Sequence, residues 1–363
     1  MSTGAGPGAG GRRPRRYRFV GPVLSVALVA AVFVWFLPQF TSLSQVWAAV
    51  VDMTWLETSA LLLAAVWNLI TYQFLVVATT PGMTLRQATV ATEAATAVSN
   101  TVLGGAAVAV GLTYAMNSSW GFSRSRTSVA LLVAGLWNTL AKLGLPVLAL
   151  ALLAFTAPPS AGRLAAGVAG LLGLGAAAAL LWTVLRSPAT AAAVGRAAAR
   201  AATAARPPFR RPAVTGWDRA TTKFRDRTVL LLRARWHWIT LATLVSHLSL
   251  FLLLLLSLRS VGVGADQVGT AEALAVFAFA RLLTAVPLTP GGLGVVELAL
   301  ITGLAAAGGP RALVAAAVLV FRALSYVLPI PVGLGSYLFW RHNRSWRREA
   351  NAAPRTELVP EAA

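Results

Sequence analysis

Six apolar stretches, each between 19 and 30 residues long, run through this sequence and leave few folds open to it. They cover residues 19–37, 55–79, 127–156, 163–185, 236–258 and 311–340. About 20 consecutive apolar residues are enough for a helix to cross a bilayer, whereas the strands of a membrane barrel are shorter and alternate in polarity. The sequence therefore predicts an all-α polytopic membrane protein with about six full spans.

The composition agrees with a membrane protein and restricts the sites that the chain can carry. Hydrophobic residues make up 57% of the sequence and charged residues only 12%. A net charge of +20 would indicate nucleic-acid binding in a soluble protein, but here the basic residues collect at the ends of apolar stretches, so no nucleic-acid partner is expected. There is no cysteine, and the three histidines are scattered, so we expect neither a metal site nor a cofactor.

Lysine and arginine are unevenly distributed between the connecting segments, and this predicts the orientation of the chain. Segment 1–18 carries five, segment 186–235 carries twelve and segment 341–363 carries five, whereas 38–54 carries none. The positive-inside rule then places both termini and segment 186–235 in the cytoplasm. We expect a multi-pass protein of the plasma membrane.

The same distribution predicts how the chain is divided. We expect a disordered basic tail at 1–18, a membrane domain at 19–340 and a basic tail at 341–363. The two halves of the membrane domain are expected at about 55–156 and 236–340, separated by the basic loop 186–235. Arg196 and Arg200 in this loop are four residues apart. They would share one face of a helix, so an amphipathic helix on the inner leaflet and a solvated loop both remain open.

Two further regions, 84–120 and 267–307, are apolar but interrupted, and they predict two re-entrant helix pairs broken by Gly or Pro. With these pairs the hydropathy pattern suggests about eight membrane segments. The regions also resemble each other, because Gly121 follows Gly104 by 17 residues and Gly308 follows Gly291 by 17. An odd number of spans separates the two copies, so we expect an inverted repeat, an arrangement that recurs among transporters.

The second interrupted region contains "VPLTPGGLGVVELAL", residues 286–300, in which prolines, glycines and a glutamate interrupt an apolar run. We expect helical arms at 271–287 and 293–307. The turn between them is predicted to be formed by Pro287, Pro290, Gly291 and Gly292. Of these, Pro290, Gly291 and Gly292 are candidate substrate-binding residues, together with Gly294 at the start of the second arm. Free N–H groups at the start of the second arm would favour a phosphate or carboxylate, which makes this turn a candidate anion site.

Charged side chains near this turn complete the candidate substrate-binding site. A lone charge in a bilayer costs about 2.5–3.5 kcal/mol, so Arg281, Glu297 and Arg322 each need a partner or a watery cavity. We expect both arginines to face a phosphate, with Glu297 paired to one of them; a purely structural ion-pair network is the alternative. Secondary candidates in the first half of the chain are Glu93, Asn100, Gly104, Gly105 and Lys142. No catalytic residue is proposed.

Two other polar residues receive structural interpretations. His247 lies within an apolar pattern and is interpreted as a packing residue. Asn138 is interpreted as a polar contact between helices.

The stretches "RLLTAVPLTPGGLGVVELAL" and "AAAVLVFRALSYVLPIPVGL" resemble the flippase-like membrane domain of lysylphosphatidylglycerol synthases, as does the weaker "SNTVLGGAAVAVGLTYAMNSSWGFS". The third stretch departs from the family pattern at Leu103, where a proline is expected. The resemblance covers roughly 19–340. In full-length synthases it implies movement of aminoacylated phosphatidylglycerol between leaflets, while a separate cytosolic domain makes the lipid. We expect a stand-alone membrane member without that transferase domain.

The resemblance implies lipid handling, and three functions remain open. The first is a flippase or translocase for an anionic or aminoacylated phospholipid, or for a polyprenyl-phosphate lipid. The second is a membrane-embedded transferase acting on lipid intermediates, and the third is a non-catalytic membrane partner of a separate enzyme. The expected partners are lipids with anionic headgroups, and the oligomeric state is left open.

Overall fold

In the computed structural model, the described residues are 48, 51–102, 104–156, 161–204, 216–284 and 292–343. All regular secondary structure in this part is helical, which confirms the predicted all-α polytopic class. The helices are α1 (Trp55–Thr79), α2 (Leu85–Thr101), α3 (Gly105–Ser119), α4 (Arg124–Thr156), α5 (Ala161–Arg186), α6 (Pro188–Ala204), α7 (Trp217–Ser260), α8 (Thr270–Leu283), α9 (Val295–Ala306), α10 (Arg311–Arg322) and α11 (Pro329–His342). A π-helical turn, Ala323–Val327, joins α10 to α11.

Five helical segments of the described part are long and apolar enough to cross a membrane. They are α1, α4, α5, α7 and the continuous α10–α11 segment, and they match five of the six predicted spans. The sixth, 19–37, lies outside the described residues, as do the tail 1–18 and most of the tail 341–363. The division of the chain into a membrane domain with two tails therefore stays a prediction.

The basic segment 186–235 is largely helical where it is described. It contains α6, and α7 begins at Trp217, well before the predicted span 236–258. The buried residues of α6 include Gly195, where a Cβ atom would lie 2.6 Å from the carbonyl oxygen of Trp217 on α7. Arg196 and Arg200 lie on the exposed side of α6. The face on which α6 packs is therefore uncharged, and its arginines are left to solvent or lipid headgroups.

Local sequence signals explain where the first helices begin. Thr54 caps α1 by accepting a hydrogen bond from the Glu57 N–H, and the Glu57 carboxylate accepts one from the Thr54 N–H at 2.8 Å. Thr84 and Gln87 form the same reciprocal pair at the start of α2. Each pair satisfies N–H groups that a helix leaves unpartnered at its first turn.

The two interrupted regions form two similar units. In the first unit α2 packs against α3 and is followed by the long helix α4; in the second, α8 packs against α9 and is followed by α10–α11. The long helix of each unit packs against the first arm of the other, since α4 contacts α8 and α11 contacts α2. This reciprocal exchange is what a twofold relation between the units would produce. That the repeat is inverted across the membrane stays a prediction.

Close packing at one of these crossings depends on a glycine. A Cβ atom on Gly333 of α11 would lie 2.1 Å from the carbonyl oxygen of Glu93 on α2. The backbones of the two units therefore approach each other more closely than any other residue would allow. Helices α1, α4, α7, α8, α9 and α10 share the largest buried apolar cluster of the described residues, and some of its members line the cavity described next.

Candidate functional site

The interruption predicted around residue 290 separates α8 from α9. The predicted arms 271–287 and 293–307 correspond to α8 and α9. The helix α8 ends at Leu283, before the predicted end of the first arm, and α9 begins at Val295, after the predicted start of the second. Pro290 and Gly291 lie outside the described residues. Gly292 and Gly294 have φ angles of +73° and +80°, which are favourable only for glycine. The backbone thus departs from α-helical geometry directly before α9, and the rest of the predicted turn stays a prediction.

Glu297 in the first turn of α9 forms a buried ion pair with Arg322 at the end of α10. The Arg322 Nε donates to the Glu297 Oε1 at 2.6 Å, and both side chains are almost fully buried. The other carboxylate oxygen, Oε2, accepts the Gly294 N–H at 2.8 Å. One N–H group that we expected to be available to an anion is thus occupied by Glu297. The spacing of Glu297 three residues after Gly294 is a capping signal that the sequence already carried.

The helix deviates from regular geometry directly after Arg322. Pro329 has no N–H to donate to Ser325, so the chain relaxes into the π-helical turn, in which the Leu328 N–H donates to Ala323 at 2.8 Å. Such π-helical turns often occur at functional sites. This turn places the ring of Tyr326 4.6 Å from the Arg322 guanidinium, within the range of a cation–π interaction.

Asn100, a secondary candidate, joins this group through Tyr326. The Tyr326 hydroxyl donates to the Asn100 carbonyl oxygen at 2.6 Å, and the Asn100 Nδ2 donates to the Tyr326 carbonyl oxygen at 3.1 Å. Asn100 lies near the end of α2 in the first unit. These two hydrogen bonds therefore connect the broken region of the first unit to the charged region of the second.

Arg281 and Arg322 line the same small cavity, whose volume is about 60 Å³. Ser325 and apolar side chains such as Phe277 and Leu250 complete its wall. The Arg281 Nε and the Ser325 Oγ are buried and have no hydrogen-bond partner among the described residues. The cavity therefore contains a cationic donor and a hydroxyl group whose hydrogen-bonding capacity is unused. Ser325 was missed by sequence reasoning because nothing local distinguishes it from other serines in apolar helices.

Two further basic side chains lie within electrostatic range of Arg281. They are Lys142 of α4, a secondary candidate, and His247 of α7. The His247 Nε2 is 3.2 Å from the Asn138 Oδ1, and its Nδ1 has no partner in the described part. Asn138 thus makes a polar contact between α4 and α7, as expected from the sequence. That its partner is His247 could not be predicted, because the pairing depends on how α4 and α7 meet.

The charges in this described cluster do not balance. Arg281, Arg322 and Lys142 are cations, and Glu297 is the one carboxylate paired among them, which leaves a formal surplus of two positive charges. Charges in a low-dielectric interior require compensation. An anion bound beside Arg281 would supply it, and a phosphate group has the charge and the acceptor oxygens to do so.

Glu93 occupies a different environment. It is buried on α2, and its Oε1 accepts the Gln73 Nε2 at 2.8 Å, while its Oε2 and the Gln73 Oε1 have no partner in the described part. Gly104 and Gly105 form the nearby α2–α3 turn: Gly104 has a φ angle of +69°, and a Cβ on Gly105 would lie 2.4 Å from the Val98 carbonyl oxygen. No described contact joins Glu93 to the arginine cavity.

Comparison with known proteins identifies one family. The family model described as "Lysylphosphatidylglycerol synthase TM region" matches residues 23–333. This range contains the first unit, the second unit as far as Gly333 in α11, and every residue of the arginine cavity, and it agrees with the resemblance seen in the sequence. No curated protein matches the chain.

Proposed function

The chain belongs to the lysylphosphatidylglycerol synthase TM-region family, and we propose that it translocates phosphate-bearing lipids between the leaflets of the membrane. Family membership makes it a multi-pass membrane protein related to lipid handling. The candidate lipids are anionic or aminoacylated phospholipids and polyprenyl-phosphate lipids, which all carry a phosphate. The proposed phosphate-binding residues are Arg281 and Arg322, with Glu297 positioning Arg322.

One observation supports this proposal above the others. Two guanidinium groups line one cavity, and only Arg322 is neutralised by a carboxylate within the described residues. A structural ion pair needs one arginine and one carboxylate, so the second arginine is unexplained by stability alone. A lipid phosphate passing through the protein would accept charge-assisted hydrogen bonds from the Arg281 guanidinium.

The test is leaflet exchange of labelled lipids in proteoliposomes containing the full chain. Arg281→Met keeps the side-chain volume and removes the charge. Exchange of phosphatidylglycerol should fall about tenfold or more, because a charge-assisted hydrogen bond contributes about 1.5–3 kcal/mol. Thermal stability should not fall, since the guanidinium lacks a described partner. Arg196→Met, at an exposed arginine on α6, is the matched control and should leave exchange unchanged.

Two results would contradict the proposal. One is full exchange activity in correctly inserted Arg281→Met. The other is the absence of protein-dependent exchange for phosphatidylglycerol, lysyl-phosphatidylglycerol and undecaprenyl phosphate alike. The second result would favour a non-catalytic membrane partner of a separate enzyme.

We further propose that the protein resides in the plasma membrane with segment 186–235 in the cytoplasm, as the distribution of basic residues predicts. The chain has no cysteine, so single introduced cysteines report topology directly. Asp266→Cys should react with an impermeant maleimide in intact cells, and Arg219→Cys should react only after permeabilisation; both residues are exposed. Labelling of Arg219→Cys from outside would reverse the proposed orientation.

A further inference from the structure

A second cavity, of about 310 Å³, lies in the first unit between helices α1, α2, α3 and α4. It is larger than the arginine cavity and has a different chemistry. No charged side chain lines it, but hydroxyl and amide groups do, among them Thr92, Thr96, Ser99 and Asn117. The described wall of this cavity therefore offers hydrogen-bonding groups but no charge.

The hydroxyl groups on α2 share one face of the helix. Thr92, Thr96 and Ser99 are separated by four and three residues, which places them one above another on the wall of the cavity. On the α3 side, the Thr113 hydroxyl donates to the Ala109 carbonyl oxygen at 2.9 Å. A hydroxyl that donates in this way keeps lone pairs that can accept a hydrogen bond from a ligand.

Asn117 provides an independent indication that the cavity receives a polar ligand. Its side chain lines the cavity and is only 3% exposed. The Nδ2 donates to the Thr127 Oγ1 at 3.4 Å, while the Oδ1 has no partner in the described part of the chain. A buried amide oxygen left without a donor is destabilising. A ligand hydroxyl would donate to it and remove this penalty.

Polar side chains lead from this cavity towards the arginine cavity. Tyr72 lines the larger cavity, and its hydroxyl lies 3.5 Å from the Asn138 Nδ2. The Asn138 Oδ1 in turn lies 3.2 Å from the His247 Nε2, and His247 is within electrostatic range of Arg281. These contacts link side chains at the junction of α1, α4 and α7, between the two cavities, although no described residue lines both.

We propose that the larger cavity is a second headgroup subsite, which binds the uncharged, hydroxyl-bearing part of a phospholipid headgroup such as a glycerol or another polyol. This rests on the proposed function, in which Arg281 and Arg322 bind the phosphate. The division follows from the chemistry of the two walls. A wall of hydroxyl and amide groups satisfies hydroxyl ligands but cannot balance a charge, whereas the arginine cavity can balance a phosphate.

The test compares two lipids of equal charge. Dihexanoyl-phosphatidylglycerol carries a glycerol headgroup, and dihexanoyl-phosphatidylmethanol carries a methyl group in its place. Binding to the purified full chain in detergent is measured by isothermal titration calorimetry. The wild type should bind phosphatidylglycerol about five- to tenfold more tightly, as one or two net hydrogen bonds predict. In the double variant Thr92→Val, Thr96→Val this preference should disappear, while binding of phosphatidylmethanol stays unchanged.

Two further variants support the interpretation of this experiment. Thr139→Val is the matched control, because its hydroxyl donates within an exposed turn of α4 and lies outside the cavity. It should keep the preference. Asn117→Leu removes the unpartnered oxygen and should also reduce the preference, which provides a second result if the threonine variant does not fold. Glycerol 1-phosphate, the same headgroup without acyl chains, should compete at least about tenfold more weakly, because it buries no apolar surface.

The outcomes separate the two proposals. If both lipids bind equally to the wild type, or the preference survives both cavity variants, the subsite is wrong. The proposed function still stands in that case if Arg281→Met weakens binding of both lipids. If Arg281→Met weakens neither, the proposed function fails whatever the preference. Equal competition by glycerol 1-phosphate would overturn the assignment to a lipid and indicate a soluble polyol phosphate.

Discussion

The two broken helix pairs share a backbone plan but differ in the chemistry they surround. In the second unit, α8 and α9 border a small cavity lined by two arginines, one of which belongs to a buried ion pair. In the first unit, α2 and α3 border a larger cavity whose described lining is neutral and rich in hydroxyl groups. Glycines with positive φ angles occur at both breaks, at Gly104 and at Gly292 and Gly294. Both units therefore use glycines with positive φ angles at the break between their two helices. The side chains around each break determine what the unit could bind.

This difference shows how a membrane protein can divide the recognition of one polar molecule. Charges are tolerated only where a partner or a ligand compensates them, and both arginines of the small cavity and the buried ion pair belong to the second unit. Hydroxyl groups can satisfy their hydrogen bonds within their own helix, so they can line the other unit at little cost. The predictions that follow test whether the two units differ in function as they do in chemistry, from the largest expected effect to the smallest.

Arg322→Ala should have the largest effect. It removes a cation from the arginine cavity and leaves Glu297 buried without its ion-pair partner. Exchange of anionic lipids should be abolished, and stability should fall by about 3–5 kcal/mol, the usual result of breaking a buried pair. Proteoliposome exchange and thermal unfolding in detergent measure the two effects. Arg322→Lys should restore only part of the activity, because an ammonium group cannot reproduce the planar guanidinium. A stable and active Arg322→Ala protein would show that lipid exchange does not require the arginine cavity.

The double variant Glu297→Leu, Arg322→Met separates structure from function in the same unit. Apolar replacement of a buried ion pair is often neutral or stabilising by about 1–4 kcal/mol, so the protein should insert and unfold near the wild-type temperature. Exchange should remain absent, since the cavity has lost Arg322. An active double variant would show that the ion pair is structural, and the contrast between the two units would then have no functional meaning.

Gly333→Val tests the contact between the units. Its new side chain would meet the backbone of Glu93, which cannot move without displacing α2. We expect destabilisation of about 1–3 kcal/mol, typical of overpacking, measured by thermal unfolding. Gly335→Val is the matched control on the same helix, because a Cβ atom there has no neighbour within 4 Å. Equal stability of the two variants would indicate that α11 does not press against α2 in solution.

The sequence predicted the spans and the arms well because hydropathy and helix-breaking residues act locally. The match of α1 to 55–79 and of α9 to 293–307 needed no knowledge of tertiary contacts. The proximity of Arg322 and Glu297 was also predictable, since a lone buried charge must find a partner. The same reasoning suggested free N–H groups at the start of α9, but it missed that Glu297 itself occupies the one at Gly294.

Other features of the two cavities and of the contact between the units depend on how distant helices meet, and no local sequence pattern predicted them. Lys142 lies on α4 and reaches the arginine cluster only because α4 packs against α8 of the other unit. The hydroxyl groups of Thr92 and Thr96 have ordinary helical spacing, and their role becomes visible only when α3 and α4 enclose the same cavity. Gly333 resembles many membrane-helix glycines until its contact with Glu93 is known.

Glu93→Gln should have the smallest effect, and it tests the comparison most directly. Its Oε1 accepts a hydrogen bond from Gln73, which an amide oxygen can replace. The new amide nitrogen can also donate to the Gln73 Oε1, which has no partner in the described part. The change in stability should therefore stay within about 1 kcal/mol, the size of one net hydrogen bond, and lipid exchange should be retained.

The identical substitution in the other unit supplies the control. Glu297→Gln removes the charge that balances Arg322 and should reduce both stability and exchange, whereas Glu93→Gln should reduce neither. Lipid exchange by the two variants is measured in the same proteoliposome assay, and the stability of each variant is measured by thermal unfolding. Loss of exchange in a stable Glu93→Gln protein would mean that the first unit uses a carboxylate during transport, for example as a proton carrier. The first unit would then contribute a charged group to transport. The proposed difference in function between the arginine-containing unit and the hydroxyl-lined unit would be wrong.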